Sequence, residues 1–238
     1  LRSFGAIPYQ ANQDVFIISS VADLKDFATQ VNAGSFTKDV YLVEDIDMTG
    51  VEWTPLKWKS SHTVNDVATA ATFHGNGYSI TGMTQPLFHT LQANVNGLHF
   101  KKVNITTNTT VTADASFGTL AGYLLAATSC RIYISNCSAE GKITVSNPDY
   151  IESAISHDGN KDHSYGGIIG RAYGADIDSC VGNVDITVTA ITAPNVKRRM
   201  SANVGGVVGY VASANSSTIH TNIYNCVSSA TLSYEDKA

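Results

Sequence analysis

Asp176 and Asp178 are the residues with the clearest capacity for chemistry. They flank Ile177, and on a strand two side chains this far apart point the same way with about 6.6 Å between them. That separation touches the lower edge of the carboxylate spacing in an inverting glycosidase, where one carboxyl protonates the leaving group and the other activates water. Their neighbours follow from a repeat. Ile134, Ile177 and Ile223 each stand three residues before a cysteine, at Cys137, Cys180 and Cys226. If these isoleucines stack inward, their flanking residues stack outward on one face. That face carries Tyr133 and Ser135, then Asp176 and Asp178, then Asn222 and Tyr224, with Asn94 and Asn96 around Val95 below. Tyrosines beside carboxylates and amides can stack on sugar rings, so Tyr133, Asp176, Asp178, Asn222 and Tyr224 form a candidate glycan-binding face. The same residues equally describe a solvated polar face with no ligand. Hydrolysis would further need a cleft and one carboxyl with a raised pKa. No residue is assigned a catalytic role.

Other constellations are weaker. Asp158, Asn160 and Asp162 imitate the start of a calcium loop, but His163 stands where its glycine belongs and Ile169 where its bidentate glutamate belongs. His157 and His163 as a zinc pair lack further ligands. Lys197-Arg198-Arg199 and Lys101-Lys102 read as solvated loops, the first with a further option of binding an acidic glycan. No Ser/His/Asp order, phosphate-binding loop or dinucleotide fingerprint is present. Neither a metal nor a cofactor is expected.

The elements that position the face are the repeats themselves. Ser164–Val188 is the clearest copy, with SFGTLAGY (Ser116–Tyr123) and RIYISNCSAEGKITV (Arg131–Val145) before it. NVGGVVGY (Asn203–Tyr210) and TNIYNCVSSATLSY (Thr221–Tyr234) come after it, and a fainter copy runs over Pro86–Thr106. The matched glycines are Gly122, Gly170 and Gly209, suited to corners or to close backbone approach. Cys137 has the opposite parity to Ile134, so the chain must bend near Asn136, a residue that tolerates the left-handed conformation. Short-strand repeats of this length bury their faces on one another as stacked coils, here with three strands per coil, which describes a parallel β-helix. Residues 72–238 are expected to form these coils as one continuous domain. Residues 1–71 would supply a leader, a capping helix and the first strand, Val40–Met48. The helix is expected from Ser20, as N-cap with Asp23, to Gly34. Trp53 and Trp58 are expected in a loop, Ser60–Ala71 as irregular chain, and the two inserts, Asn147–His163 and Ala190–Ala202, at one shared corner. The repeat cysteines are expected as buried free thiols, because stacked coils aim their Cβ atoms poorly for a disulfide. The last coil is expected to be uncapped, as in a chain that continues.

Composition fits an extracellular β protein. Of 238 residues, 43% are hydrophobic, enough for a core, and only 15% are charged. The net charge of −5 leaves no electrostatic footprint for nucleic acid or anionic membranes. No apolar run approaches a membrane span. Leu1 in place of an initiator methionine points to a processed or trimmed segment.

The motifs GGIIG, GGVVG and GTLAG, each followed by an isoleucine-to-cysteine segment, resemble the GLUG-type repeats of bacterial surface proteins. The upstream DIDMTG, FHGNGYSITGM, PLF and GLHF are similar to the same proteins. These are common in gut Bacteroidetes, and related repeats occur in non-catalytic regions of some IgA-specific metallopeptidases. The resemblance implies an all-β, right-handed parallel β-helix on an exported or outer-membrane-anchored protein, a lipoprotein or adhesin. Host or dietary glycans or surface proteins are then the expected partners. It supplies no catalytic residues, and no His-Glu-x-x-His motif occurs here. Three functions stay open: a non-catalytic adhesion or glycan-binding module, a polysaccharide hydrolase or lyase, and a structural spacer.

Overall fold

The computed structural model describes residues 14–34, 36–64, 67–108, 115–126, 130–148, 163–191, 202–212 and 219–237. The chain winds as a parallel β-helix. β1 (Phe16–Ile18) and α1 (Val21–Ala33) come first. The first coil is β2 (Val40–Leu42), β3 (Ile46–Asp47) and β4 (Leu56–Lys59), followed by a small antiparallel hairpin, β5 (His62–Val64) and β6 (Val67–Thr69). The second is β7 (Thr72–His74), β8 (Ser79–Thr81) and β9 (Phe88–Gln92). The third adds a short strand: β10 (Asn94–Asn96), β11 (His99–Asn108), β12 (Ser116–Phe117) and β13 (Ala121–Leu125). The fourth repeats it with β14 (Ile132–Ser135), β15 (Ser138–Pro148), β16 (His163–Gly166) and β17 (Ile169–Tyr173). The fifth has β18 (Ala175–Asp178), β19 (Val181–Ile191), β20 (Ala202–Gly205) and β21 (Val208–Ala212). β22 (Asn222–Tyr224) and β23 (Leu232–Lys237) open a sixth.

Stacking these coils yields three long sheets of seven, six and five strands and a short one of three, all parallel. The three strands expected per coil are therefore joined by a fourth in the later coils. The ladders also begin before the recognisable repeats, since β2 pairs with β7 and β4 with β9. Val40–Met48 is two short strands in different sheets, because Val43–Asp45 turns a corner between them. Trp58 lies in a strand rather than a loop, and its indole N–H donates to Phe36 O at 2.9 Å. The expected irregular segment contains the β5–β6 hairpin, tied down by the buried Ser60 hydroxyl, which donates to Gln92 O and accepts from Ala71 N–H.

Inward residues form continuous columns. Val40, Phe73, Val95, Ile134 and Ile177 succeed one another in register and are each 0% exposed. Each apolar side chain is buried by the coil above and the coil below, the stacking that defines solenoids. The corner after the seven-stranded sheet is set by Asn136, Ser179 and Asn225, with φ of 54°, 53° and 49°. Asparagine tolerates this left-handed geometry, and serine accepts it in the middle copy. The matched glycines serve close approach. A Cβ on Gly170 would lie 2.6 Å from Phe117 N, and one on Gly209 2.7 Å from Tyr165 N. These glycines let the three-stranded sheet lie directly on the five-stranded one.

The N-terminal end is closed by α1. The Ser20 hydroxyl accepts from Asp23 N–H at 3.2 Å, and the Asp23 carboxylate accepts from Ser19 N–H and both serine hydroxyls. Those bonds satisfy N-terminal donors and hold the Asp23 carboxyl below its ordinary value. The buried face of the helix, Leu24, Phe27 and Val31, closes the first coil. The Phe27 ring packs edge-on to Trp58 at 5.2 Å and to Phe73 at 6.0 Å. No described helix is long and apolar enough to cross a membrane.

Candidate functional site

The outer face of the seven-stranded sheet is built as two polar columns. One runs Tyr41, His74, Asn96, Ser135, Asp178, Tyr224. The other runs Thr72, Asn94, Tyr133, Asp176, Asn222, with Asn94 placed below Tyr133 by the same register. All five candidate residues thus share one face, with Tyr133 and Tyr224 53% and 48% exposed and Asp176, Asp178 and Asn222 half-buried.

Hydrogen bonds run from coil to coil along these columns. Asp176 Oδ1 accepts from the Arg131 guanidinium and, at 2.7 Å, from Asn222 Nδ2. Arg131 also donates to His220 O at 3.0 Å. Asp178 Oδ1 accepts from Asn225 Nδ2 at 2.9 Å and from the Ser179 hydroxyl at 3.2 Å. Asn96 Nδ2 donates to Ser135 Oγ at 2.7 Å, and Asn94 Oδ1 accepts from Tyr133 N–H at 2.9 Å. Each aspartate therefore commits one oxygen to the ladder, and its Oδ2 has no hydrogen-bond partner among the described residues. An oxygen already shared by a guanidinium and an amide is a structural acceptor, whereas the open oxygen beside it is free for a ligand hydroxyl.

A recessed space on this face lies at its N-terminal end. A groove of about 840 Å³ is walled by Lys38, Asp39 and Tyr41, by His62 of the hairpin, and by Thr72 and Asn94 of the sheet. Asp39 Oδ1 accepts from Thr72 N–H at 2.8 Å, and its Oδ2 lies 3.6 Å from His74 Nε2, in ion-pair range but beyond a hydrogen bond. Burial pushes the Asp39 carboxyl up, but His74, the Thr72 N–H and the His62 imidazole together hold it below its ordinary value. The Tyr41 ring stacks on His74 at 4.3 Å, and burial with the adjacent Asp39 raises its phenol pKa. Asn94 belongs both to the groove and to the Tyr133 column, so the groove opens onto the candidate face.

Sequence reasoning missed Arg131, Asn225 and the Asp39–His74 pair. Arg131 shares the parity of Tyr133, which was a readable signal. Asp39 and His74 come from coils whose sequences do not repeat, and only the stacking register joins them. Lys101 and Lys102 are exposed, with Lys102 at φ 51° in a strand irregularity between Phe100 and Val103. His163 is buried in β16. His157, Asp158, Asn160, Asp162 and Lys197–Arg199 lie outside the described residues. Among the described residues no group of three or more His, Cys, Asp or Glu side chains is placed to hold a metal ion.

No family model and no curated protein matches the chain. Among solved structures it is similar to a candidate immunoglobulin A1 protease from Bacteroides ovatus, with a TM-score of 0.49 and 16% identity over 94% of this chain and 78% of that one. It is also similar to an IgA1 protease, with a TM-score of 0.46 and 15% identity over 95% of this chain and 20% of that one. At these values the likeness says nothing of what the chain does.

Proposed function

We propose that this chain is a non-catalytic glycan-binding module of an exported, surface-displayed protein. The observation that carries the reading is the pair of exposed rings, Tyr133 and Tyr224, set diagonally across the Asp176–Asp178 strand. Two strand spacings and two residues separate them, about 12 Å between Cα atoms. A short oligosaccharide lying across the coils would rest on both rings and donate hydroxyls to the open oxygens of Asp176 and Asp178. Asn222 would support the site by fixing Asp176. Aromatic platforms with a few placed polar groups are how proteins hold sugars and other amphipathic ligands.

Binding fits this geometry better than hydrolysis. The face between the tyrosines is a sheet surface, and the Oδ1 atoms of both aspartates are occupied by bonds that hold neighbouring coils together. The test is one incubation of the purified chain with host mucin glycans and plant polysaccharides, scored for retention and for new reducing ends. Retention without cleavage, lost in the Tyr133→Ala/Tyr224→Ala double variant, supports the reading. New reducing ends that vanish in Asp176→Asn/Asp178→Asn would overturn it in favour of an enzyme. Absence of both signals would also overturn it.

A further inference from the structure

Three thiols stand one above another inside the solenoid. Cys137, Cys180 and Cys226 each follow the left-handed residue that ends a strand of the seven-stranded sheet. Each precedes a matched position of the next sheet, with Ser138 beside Val181 and Val181 beside Val227. Their backbones are therefore superposable, and so are the thiol poses that can be compared: Cys137 Sγ lies 3.3 Å from Ser135 O, and Cys180 Sγ lies 3.3 Å from Asp178 O. Cys180 and Cys226 also lean toward the coil below, at 3.9 Å from Ile134 O and 3.6 Å from Ile177 O. All three are free, Cys137 and Cys180 are 1% and 0% exposed, and Cys226 is half-buried at the open end.

Neighbouring coils are about 4.8 Å apart, so successive thiols aimed alike are separated by about that distance. A disulfide needs Cβ atoms about 3.5–4.5 Å apart and a torsion near ±90° about the sulfur–sulfur bond, which side chains aimed alike from stacked coils meet poorly. Two metal–thiolate bonds of about 2.3 Å laid end to end span about 4.6 Å. A straight sulfur–metal–sulfur line fits the ladder without backbone movement. Zinc is excluded by its need for four tetrahedral ligands, because the thiols lie in a column instead of converging on a point.

We propose that Cys180, with Cys137 below it or Cys226 above it, forms a linear two-coordinate site for a soft, thiophilic cation of the copper(I), silver(I) or mercury(II) kind. On binding, two S–H bonds break, two sulfur–metal bonds form, and two protons leave to solvent. A monovalent ion leaves one net negative charge in the site and a divalent ion leaves none, so the apolar surroundings favour the divalent case. Entry is through Cys226, the half-buried member. The thiols already influence one another: Cys180 beside Cys137 holds the Cys137 thiol below its ordinary value, while Cys180 and Cys226 are pushed up. Cys130 lies outside the column and is a control within the same chain.

The experiment titrates the reduced full chain anaerobically with silver(I) and, separately, mercury(II). It reads ions bound by native mass spectrometry, protons released, and thiolate-to-metal absorption in the ultraviolet. The expected result is one tight ion per chain with two protons released. Cys180→Ser and the Cys137→Ser/Cys226→Ser double variant should both abolish it. In Cys180→Ser the remaining pair is about 9.6 Å apart, too far for one ion. Either end variant alone, and Cys130→Ser, should keep it. Two variants reach the same loss by different routes, so misfolding of one leaves the other to decide. Binding by folded Cys180→Ser equal to that of the unaltered chain, or one proton per ion at every thiol, would overturn the proposal.

Discussion

Ile177 and Ile223 are in-register partners on adjacent strands, yet the first is 0% exposed and the second 44%. The same contrast recurs around the coil. Ile186 and Val188 are 0% exposed, whereas their partners Leu232 and Tyr234 are 45% and 56% exposed. In the five-stranded sheet, which ends one coil earlier, Ala172 of the fourth coil is 0% exposed and its partner Val211 of the fifth 45%. Sequence pattern and strand pairing are shared by the two coils, so neither decides burial. What differs is a neighbour on the far side, which β17, β18 and β19 have and the edge strands β21, β22 and β23 lack. At the other end β1 provides that neighbour for β2, pairing Phe16 with Val40 and Ile18 with Leu42, while α1 covers β4 through Phe27 and Trp58, and the first coil's Val40 and Leu42 are both 0% exposed. A coil of this protein does not own a core, because its core is made by the next one.

The strongest way to break this contrast is at the capped end. Phe27→Ala removes the ring that packs on both Trp58 and Phe73, and should cost about 3–5 kcal/mol in urea unfolding. The same chemistry at two depths sharpens the comparison. Ile177→Ala should cost about 2–5 kcal/mol. Ile223→Ala, at the open end, should cost under about 1 kcal/mol in the same assay. Equal losses would show that the exposed coil is not at the margin of the core.

A smaller effect is expected at the polar ladder. Asp176→Ala leaves Arg131 and Asn222 without their shared acceptor and should lower stability by about 1–2 kcal/mol. Asp176→Asn keeps an acceptor oxygen and should lose less. The smallest effect is a pH dependence at the groove. The Asp39 carboxyl is held below its ordinary value of 3.8, so its folded form prefers the charged state. Its contribution is therefore present above about pH 4 and is lost as pH falls through the depressed value. An Asp39→Asn variant should flatten the acid limb of thermal stability, and an unchanged limb would contradict the assignment.

Repetition decided what was legible in the sequence. The column through Ile134, Ile177 and Ile223, the corner at Asn136 and the outward neighbours could be read because three copies aligned them. The glycines could be matched and read as corners or as points of close approach, but the choice between the two depends on the strands of Phe117 and Tyr165 lying across them. The first coil was illegible as a coil. Its strands are two to four residues long and share no motif with the later copies, and only their pairing with β7, β8 and β9 reveals them. The groove was hidden for the same reason, because Asp39 and His74 meet through stacking alone. Arg131 meets Asp176 across 45 residues, a pairing that parity permits but does not announce.

Hydrogen exchange resolved by strand tests most directly the claim that each coil is completed by its neighbour. Amides of β18 and β19 should exchange far more slowly than those of β22 and β23, with the fall occurring in one step between the two coils. Uniform protection across β18, β19, β22 and β23 would contradict the account, because the last coil would then be as well held without a neighbour as the fifth is with one.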